Sequence, residues 1–530
     1  MATKVTLRTC RKLSQVLFFF LFLLFFRLTD YSGLDEIPYA VNIFFRWDPL
    51  VTATVVLATK TFVALLLPSL FIIALTIIFG RVFCGWLCPM GTLLDGVGKL
   101  IQTSPRQGRS LRSVKYILLA VILTSSLFGL QLVGFFDPFS LLVRGLTLGL
   151  DPLFNLLVSG FFDPIYRYAP QWLSNLSEPI YTVLQNSVLP HKQSFFLLST
   201  LSTTILIAVV ALEKLAKRFW CRNLCPLGAL LAILSRFSLF RRFPGLSCKD
   251  CQHCAPSCRM DAFDPKSRQV RHEECNLCLD CVDNCVKQAS RFHFALPDNR
   301  LQIDMSRRTF IGAGLAGITL PLLSQVNAGG RLPRPTLLRP PGAAPEAEFF
   351  SKCVRCGECM KVCIQNALQP CFLESGYEGM FTPRLIPRIG YCEFNCTLCG
   401  QVCPTGAIHK LSQPAKQTFV IGMAVFDKER CLPFAAHSPC IVCEEHCPTH
   451  DKAIKFKEVT VINHKGEAID LRQPYLIPEL CIGCGICENK CPLPGHSAIR
   501  VLSSRTTSED DEYGYGAHTQ TTIIQQRSIS

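Results

Sequence analysis

The chain has 530 residues, of which 49% are hydrophobic and only 18% charged, and its formal net charge is +15. So much apolar and so little charged sequence excludes a wholly water-soluble protein and predicts that part of the chain lies in lipid. The basic residues concentrate beside apolar segments, where they set membrane orientation, so the positive charge does not indicate nucleic-acid binding.

Four apolar runs, at about 16–26, 61–79, 116–136 and 194–212, predict membrane helices. A signal peptide is the alternative for the first run, but no small-residue cleavage site follows it. Basic stretches follow the second and fourth runs, and acidic or mixed stretches follow the other two, so the positive-inside rule predicts a cytoplasmic N-terminus. Residues 1–245 therefore form a predicted four-helix membrane domain.

The predicted outer stretch 137–190 holds a repeated phrase, Gly-Phe-Phe-Asp-Pro, whose two copies are residues 134–138 and 160–164. Two interpretations are open: amphipathic cover on the outer membrane face, or helix starts with proline just inside the first turn. Glu213 is the only glutamate near a membrane end. It is predicted to be a solvated interface residue, and the alternative is that it accepts a proton from quinol.

The motif C-x3-C-P occurs twice, once after the second run and once after the fourth. This duplication predicts that the two halves of the membrane domain, each with one motif, face each other. The cysteines of the two motifs are the predicted catalytic residues: Cys84, Cys88, Cys221 and Cys225. These thiols could bind a metal, form redox disulfides or lie near a quinone head group; the alternative is that they are small buried side chains at helix ends. Basic neighbours predict a lowered thiol pKa: Arg81, Lys217, Arg218 and Arg222.

Six groups of four cysteines follow. Four groups have the spacing C-x2-C-x2-C-x3-C: Cys248, Cys251, Cys254, Cys258; Cys275, Cys278, Cys281, Cys285; Cys353, Cys356, Cys359, Cys363; Cys481, Cys484, Cys487, Cys491. Two groups stretch only the first gap: Cys392, Cys396, Cys399, Cys403; Cys431, Cys440, Cys443, Cys447. This is the spacing of bacterial ferredoxins, in which the fourth cysteine ligates the neighbouring cluster.

These 24 cysteines are the predicted metal and cofactor ligands of about six [4Fe–4S] clusters. Zinc is the alternative, but it usually takes separated C-x2-C hooks, and disulfide frameworks belong to small secreted domains. Six clusters would offset about twelve of the positive charges. Cys10 and Cys371 lie outside every motif and are predicted to be free thiols.

The predicted fold class is a multi-pass α-helical membrane domain plus ferredoxin-like α+β iron–sulfur domains. Residues 246–300 form the predicted cytoplasmic two-cluster domain, and 347–502 the exported four-cluster domain, with strand-like pieces at 418–425 and 459–462. Residues 301–346 hold a twin-arginine signal or anchor, with Arg307 and Arg308 before the apolar stretch 309–323, and a linker rich in proline and glycine. Cleavage after Ala328 and retention as a fifth anchor are both open, and the polar tail 503–530 is predicted to be disordered.

On these motifs, residues 1–300 resemble the membrane ferredoxins of the NapH and MauN type, and the chain from Met305 resembles the exported NapG and MauM type. The chain is thus similar to a fusion of the two. The resemblance implies a quinol dehydrogenase component of the bacterial cytoplasmic membrane that delivers electrons to a periplasmic reductase or cytochrome. Its implied partners are the quinone pool and the twin-arginine export machinery. Gly312 departs from the family, which often has lysine there, and so do the eight residues between Cys431 and Cys440.

The alternative function is a CcoG-like maturation factor that reduces metal or disulfides in a client enzyme, so enzyme status stays open. A NosR-type activator lacks its expected outer flavin domain here. No histidine lies in the four apolar runs and no C-x-x-C-H occurs, which excludes intramembrane bis-His haem and attached haem c. Because a hydrocarbon layer of about 30 Å would separate the inner and exported clusters, we expect quinol, the C-x3-C-P cysteines, or both to bridge it.

Overall fold

The computed structural model describes residues 7–101, 111–187, 189–190, 192–245, 248, 254–263, 270–285, 289–296, 306–326, 335–462 and 468–503. The chain divides into two compact units. The first comprises residues 1–326, 344–362 and 401–409, and the second comprises 327–343, 363–400 and 410–530. The predicted boundary at residue 347 differs from this division, because the segments 344–362 and 401–409 pack with the first unit.

The first part of the chain is helical. Its helices are α1 Leu7–Leu28, α2 Ile43–Arg46, α3 Pro49–Thr59, α4 Ser69–Phe79, α5 Val82–Trp86, α6 Pro89–Leu100, α7 Ser113–Leu127, α8 Val133–Phe136, α9 Pro138–Gly145, α10 Asp151–Tyr168, α11 Gln171–Ser187, α12 Ser199–Ala211, α13 Phe219–Asn223 and α14 Pro226–Ser235. Short 3-10 turns at Ala64–Leu66 and Leu212–Lys214 and a π turn at Leu146–Leu150 connect some of them.

The rest of the chain alternates short helices with strands. The helices are α15 Cys254–Ser257, α16 Asp280–Asp283, α17 Arg307–Val326, α18 Glu346–Lys352, α19 Glu358–Lys361, α20 Leu398–Gln401, α21 Gln413–Thr418, α22 Leu432–Ala435, α23 Val442–Glu445 and α24 Ile486–Lys490. The strands are β1 Phe240–Pro244, β2 Ser290–Phe294, β3 Leu368–Pro370, β4 Pro383–Leu385, β5 Met423–Phe426, β6 Ile454–Ile462, β7 Ala468–Leu476 and β8 Ile499–Leu502.

The helices of the structure differ from the four membrane helices that the apolar runs predict. By length and composition, two helices in the described part of the chain could cross a membrane: Leu7–Leu28 and the continuous helix Pro138–Tyr168, formed by α9, the π turn and α10. The second, third and fourth predicted runs instead contain helices α4, α7 and α12, of 11, 15 and 13 residues. At 1.5 Å per residue these reach about 17–23 Å, short of a hydrocarbon core of about 30 Å.

The repeated Gly-Phe-Phe-Asp-Pro phrase has two different outcomes. In the first copy Asp137 is the N-cap of α9, its carboxylate accepts a hydrogen bond from the backbone N–H of Ser140, and Pro138 occupies the first turn. The helix-start interpretation is therefore confirmed there. In the second copy Pro164 lies inside α10, so that interpretation is wrong for residues 160–164.

A large hydrophobic core lies within the first unit. Phe139 belongs to it, with its ring centroid 6.0 Å from that of Phe44, 6.0 Å from that of Phe45 and 6.1 Å from that of Phe83. Its side chain is fully buried. Because aromatic pairs at this spacing add stabilisation beyond area burial, Phe139 ties the start of α9 to the α2 and α5 regions.

The twin-arginine segment is described from Ser306 onward, and it forms the 20-residue helix α17. The helix lies against α7 in the first unit, so closely that a Cβ added at Gly317 would be 1.7 Å from Oγ1 of Thr124. The proposed cleavage point after Ala328 and linker residues 329–334 lie outside the described residues.

The second unit consists of loops around small antiparallel pairs, β3–β4, β5–β8 and β6–β7. The predicted strand 459–462 is confirmed within β6, whereas the predicted strand 418–425 begins only at Met423, after α21. Hydrogen bonds between loops also hold this unit together. In one of them the backbone N–H of Cys392 donates to the carbonyl of Cys484 at 2.9 Å. Most of the predicted tail, residues 504–530, lies outside the described part of the chain.

Candidate iron–sulfur sites and the paired thiol motif

The ferredoxin motifs exchange their fourth cysteine in pairs. Each exchange is visible as electrostatic contact between thiols of different motifs. The groups so formed are Cys275, Cys278, Cys281 with Cys258; Cys353 and Cys356 with Cys403; Cys392, Cys396, Cys399 with Cys363; Cys431, Cys440, Cys443 with Cys491; and Cys481, Cys484, Cys487 with Cys447. This is the arrangement of two-cluster ferredoxins, so the sixth group is expected to join Cys248, Cys251 and Cys254 to Cys285. Cys251 lies outside the described residues.

Two cavities of the second unit fit a cluster. The lining of one includes Cys447, Cys481, Cys484 and Cys487. The lining of the other includes Cys431, Cys440, Cys443 and Cys491. Each cavity therefore has four thiols from two motifs, the donor set that a [4Fe–4S] cluster requires. A bound cluster supplies a reversible one-electron carrier at such a site.

Within the residues that the structure describes, no group of three or more His, Cys, Asp or Glu side chains is arranged to hold one metal ion. Zinc draws its four thiolates to about 2.3 Å from one centre, whereas a cubane holds them farther apart around its faces. Burial raises the pKa of thiols such as Cys356, so deprotonation there needs the positive charge of bound iron.

The loop of Cys275 packs on the first C-x3-C-P motif. Trp86 Nε1 donates to the Leu277 carbonyl at 3.1 Å, and a Cβ added at Gly85 would lie 2.0 Å from the Asn276 carbonyl oxygen. Only glycine fits at this approach, since any side chain would displace the cluster loop.

A buried carboxylate anchors the same loop. Glu274 accepts hydrogen bonds from Arg81, at 2.9 Å, from Tyr116, at 2.9 Å, and from Lys115. Burial alone would raise its pKa, but Lys115 and Arg81 hold the pKa below its usual value. The residue before Cys275 is therefore held as an ion by three side chains of the helical part, two from α7 and one from the start of α5.

The loop of Cys353 packs elsewhere on the first unit. A Cβ at Gly134 would lie 2.3 Å from the Val354 carbonyl oxygen. Arg144 donates to the carbonyls of Gly134, at 2.7 Å, and Arg355, at 3.2 Å. The buried Lys361 ammonium lies 2.7 Å from a carboxylate oxygen of Asp30. This packing could not be predicted from the sequence, because its residues are far apart in the chain and follow no motif.

The four C-x3-C-P thiols come together, as predicted. Cys88 interacts electrostatically with Cys84 and Cys221, and Cys225 interacts with the other three. None of them forms a disulfide. The predicted lowering of thiol pKa is wrong: burial raises the pKa of Cys221 to about 11 despite Arg218, and it also raises the pKa values of Cys88 and Cys225.

Only two of the four basic residues predicted to lie near these thiols interact with them. These are Arg81 and Arg218, whereas Arg222 pairs with Asp261 at 2.9 Å and Lys217 is exposed.

The prediction that Glu213 is solvated is wrong. Its side chain is buried and accepts hydrogen bonds from the Arg218 backbone N–H at 2.7 and 2.9 Å, which positions that arginine.

Cross-ligated cysteine sites in short loops define a class of protein, the iron–sulfur electron-transfer proteins of ferredoxin type. Two family models, both described as 4Fe-4S binding domains, match the chain, one at residues 61–106, 196–247 and 399–419 and the other at 349–369 and 474–493. The first model covers both C-x3-C-P motifs.

Known relatives define the family more closely. The methylamine utilization ferredoxin-type protein MauM of Methylorubrum extorquens is 36% identical over 207 residues, 37% of this chain and 89% of its own length. The ferredoxin-type protein NapG of Escherichia coli is 36% identical over 198 residues, 37% of this chain and 81% of its own. The chain belongs to the NapG/MauM family of ferredoxin-type proteins. YccM of Escherichia coli is 31% identical over 246 residues, 44% of this chain and 56% of its own. No solved structure matches.

Proposed function

We propose that the chain is a membrane-bound electron-transfer protein that oxidises quinol and passes electrons through [4Fe–4S] clusters to a periplasmic reductase or cytochrome. The observation that carries this proposal is the composition of the first unit's core. One hydrophobic cluster includes Cys258 and Cys275 of an inner site, all four C-x3-C-P cysteines and Cys356 of an exported site. A continuous apolar medium with these thiols along it is suited to electron transfer in the absence of haem.

Contacts of the inner cluster loops support the proposed topology. Arg8, in the predicted cytoplasmic N-terminal segment, lies 3.1 Å from Asp280, and Arg112, in a predicted cytoplasmic stretch, lies 2.7 Å from Asp261. Both aspartates belong to the cytoplasmic two-cluster part. Residues assigned to the inner side by charge thus contact one another.

Contacts of the Cys353 loop support the other half of the topology. Lys361 contacts Asp30 and Asp151, both from stretches assigned to the outside. Asn42, from the first outer stretch, donates to the Val402 carbonyl at 3.1 Å. The export of the four-cluster part by the twin-arginine machinery accords with this placement, because clusters are inserted before a folded domain is exported.

Short helices reduce the gap that electrons must cross. The first C-x3-C-P motif, on the predicted inner side, follows α4. Phe83, next to Cys84 of this motif, nevertheless contacts Phe139 in the first turn of α9, which belongs to the stretch assigned to the outside. The apolar helix Ala64–Phe79, which ends with α4, extends about 24 Å, less than the hydrocarbon thickness of about 30 Å. The predicted barrier between inner and exported clusters is therefore bridged by protein interior rather than by lipid.

Quinol-driven reduction tests this function. The protein would be purified anaerobically in detergent, mixed with a reduced menaquinone analogue and compared by low-temperature EPR with a dithionite-reduced sample. We expect quinol to produce a large share of the dithionite signal, and replacement of Cys84 and Cys221 by alanine to abolish that share for the exported clusters. Cys10→Ala, at an exposed thiol outside every motif, is the matched control. Reduction by dithionite alone would favour the maturation-factor function.

A further inference from the structure

The geometry points to an additional iron–sulfur cluster held by Cys84, Cys88, Cys221 and Cys225, beyond the six of the ferredoxin motifs. The site itself stands on the residues described next, and only its role as an electron carrier depends on the proposed function. Each C-x3-C-P repeat would contribute two thiolates, so that the two halves of the helical part share one cluster.

The two repeats extend beyond their cysteines and interlock. Both have the pattern R-x2-C-x3-C-P-x-G, and each arginine reaches over the glycine of the other repeat. A Cβ at Gly228 would lie 2.8 Å from Nη2 of Arg81, and one at Gly91 would lie 3.4 Å from Nη2 of Arg218. Arg218 also donates to the Cys84 carbonyl at 2.9 Å. The motifs therefore form one site with approximate twofold symmetry.

Charge at this site suits bound anionic thiolates. Arg81 and Arg218 have no exposed surface, and Arg81 interacts electrostatically with Cys84 and Cys225, whereas Arg218 interacts with Cys221 and Cys88. Nε and Nη2 of Arg81 have no hydrogen-bond partner among the described residues. Glu274 pairs only with Nη1 of Arg81, so the two buried nitrogens that are left without a partner call for a further anion. A thiolate-ligated cluster is such an anion.

Helix ends add to this field. Cys88 and Cys225 are the N-caps of α6 and α14, each with proline in the first turn, and Gly228 N donates to Sγ of Cys225 at 3.3 Å. These helices have 12 and 10 residues, so their N-terminal dipoles favour a negative sulfur. The two arginines and the two helix ends offset part of the cost of burying thiolates, and bound iron would supply the positive charge that deprotonation still needs.

The chemistry of the surroundings favours iron and sulfide over zinc or a disulfide pair. The thiols are free, and like the ferredoxin groups they are not arranged around one ion. They also lie in the hydrophobic core that contains Cys275 and Cys356. A redox-inert zinc ion would have no use in that position, whereas a cluster would take up and release one electron with no bond made or broken.

Metal analysis tests this inference without quinol. Iron, acid-labile sulfide and zinc would be measured per chain in the anaerobically purified protein and in a Cys88→Ser/Cys225→Ser variant. We expect the variant to lose about two to four iron atoms and a matching amount of sulfide. The dithionite EPR signals of the ferredoxin clusters should persist, which shows that the variant is folded. Equal iron in both proteins, or one zinc per chain in the parent, would overturn the inference.

A second variant tests the site if the double serine variant does not fold. Arg81→Gln keeps all four thiols and removes the facing charge, while Lys115 and Tyr116 still hold Glu274, so the iron content of the variant should be that of the parent. Because an adjacent cation favours the reduced form, the midpoint potential of one EPR-active species should shift to a lower value. Unchanged potentials for every species would contradict the assignment. A quinol-inactive protein with the full iron content would refute the proposed function but leave this site intact.

Discussion

The buried carboxyl groups of Asp48 and Asp137 interact electrostatically, although the two residues lie at the starts of different helices. Asp48 caps α3 by accepting from Leu50 N at 2.7 Å, and Asp137 caps α9 by accepting from Ser140 N at 2.7 Å. Both side chains are fully buried. Two carboxylates cannot both be ionised at this contact, so one proton is shared.

Substitution of Asp48 separates capping from proton sharing. In Asp48→Asn the amide still caps α3 and donates to Asp137 in place of the shared proton, so stability should be nearly that of the parent. Asp48→Ala removes the cap and leaves the Asp137 carboxyl buried without its partner, so the free energy of unfolding should fall by about 3 kcal/mol. Denaturant unfolding in detergent measures both. Equal losses in the two variants would exclude a shared proton.

The same pair predicts a pH dependence with a definite sign. Burial and the charge of Asp137 raise the pKa of Asp48 in the folded protein. Its contribution to stability is therefore complete below the unfolded pKa of about 3.9 and is lost as pH rises through the folded pKa. The stability difference between the parent and Asp48→Asn should change in favour of Asn with rising pH. A pH-independent difference would contradict this sign.

The two copies of the Gly-Phe-Phe-Asp-Pro phrase provide a matched pair of glycines. A Cβ at Gly134 would meet the Val354 carbonyl, whereas nothing lies within 4 Å of a Cβ at Gly160. Gly134→Ala should displace the Cys353 loop and cost about 1–3 kcal/mol. It should also slow reduction of the exported clusters, with Gly160→Ala close to the parent in both. Stopped-flow reduction and thermal unfolding check this, and equal behaviour of the two variants would refute it.

Packing of the twin-arginine helix on α7 can be tested in the same way. Gly317→Ala places a methyl group against Thr124, whereas a Cβ at Gly314 meets nothing within 4 Å. We expect Gly317→Ala to separate α17 from α7 and increase proteolysis in that helix. Gly314→Ala, which introduces the same residue in the same helix, should resist proteolysis like the parent. Mass spectrometry of the fragments measures the difference.

Exchange of the fourth cysteine predicts which double substitutions affect one cluster. Cys443 and Cys491 belong to one group, whereas Cys443 and Cys447, closer in sequence, belong to two. Cys443→Ser/Cys491→Ser should therefore lose the iron of one cluster, about four atoms, and Cys443→Ser/Cys447→Ser the iron of two. Iron analysis with EPR spin counting measures how many clusters each variant loses. Loss of two clusters from the first variant and of one from the second would show that each motif ligates its own cluster.

The sequence predicted the ligands well and the helical part less well. Cysteine spacing is set by cluster geometry, so Cys481 to Cys491 could be assigned without a fold. Helix lengths could not be assigned in this way, because an apolar run does not show where the backbone turns. The run 116–136, for example, is divided between α7 and α8. The contact of Asp48 with Asp137 was also missed. Each residue looks like an ordinary helix cap, and only the tertiary fold brings the two carboxyls together.

Exchange of the fourth cysteine also has a consequence for biosynthesis. The site of Cys353 and Cys356 is completed by Cys403, so its ligand set does not exist until the ribosome has passed the next motif. Translation therefore delivers the motifs in incomplete pairs, and metallation can begin only when the later member of each pair has emerged. A truncation that ends between two partner motifs would leave a half-liganded site open to oxygen, rather than a shorter but sound protein.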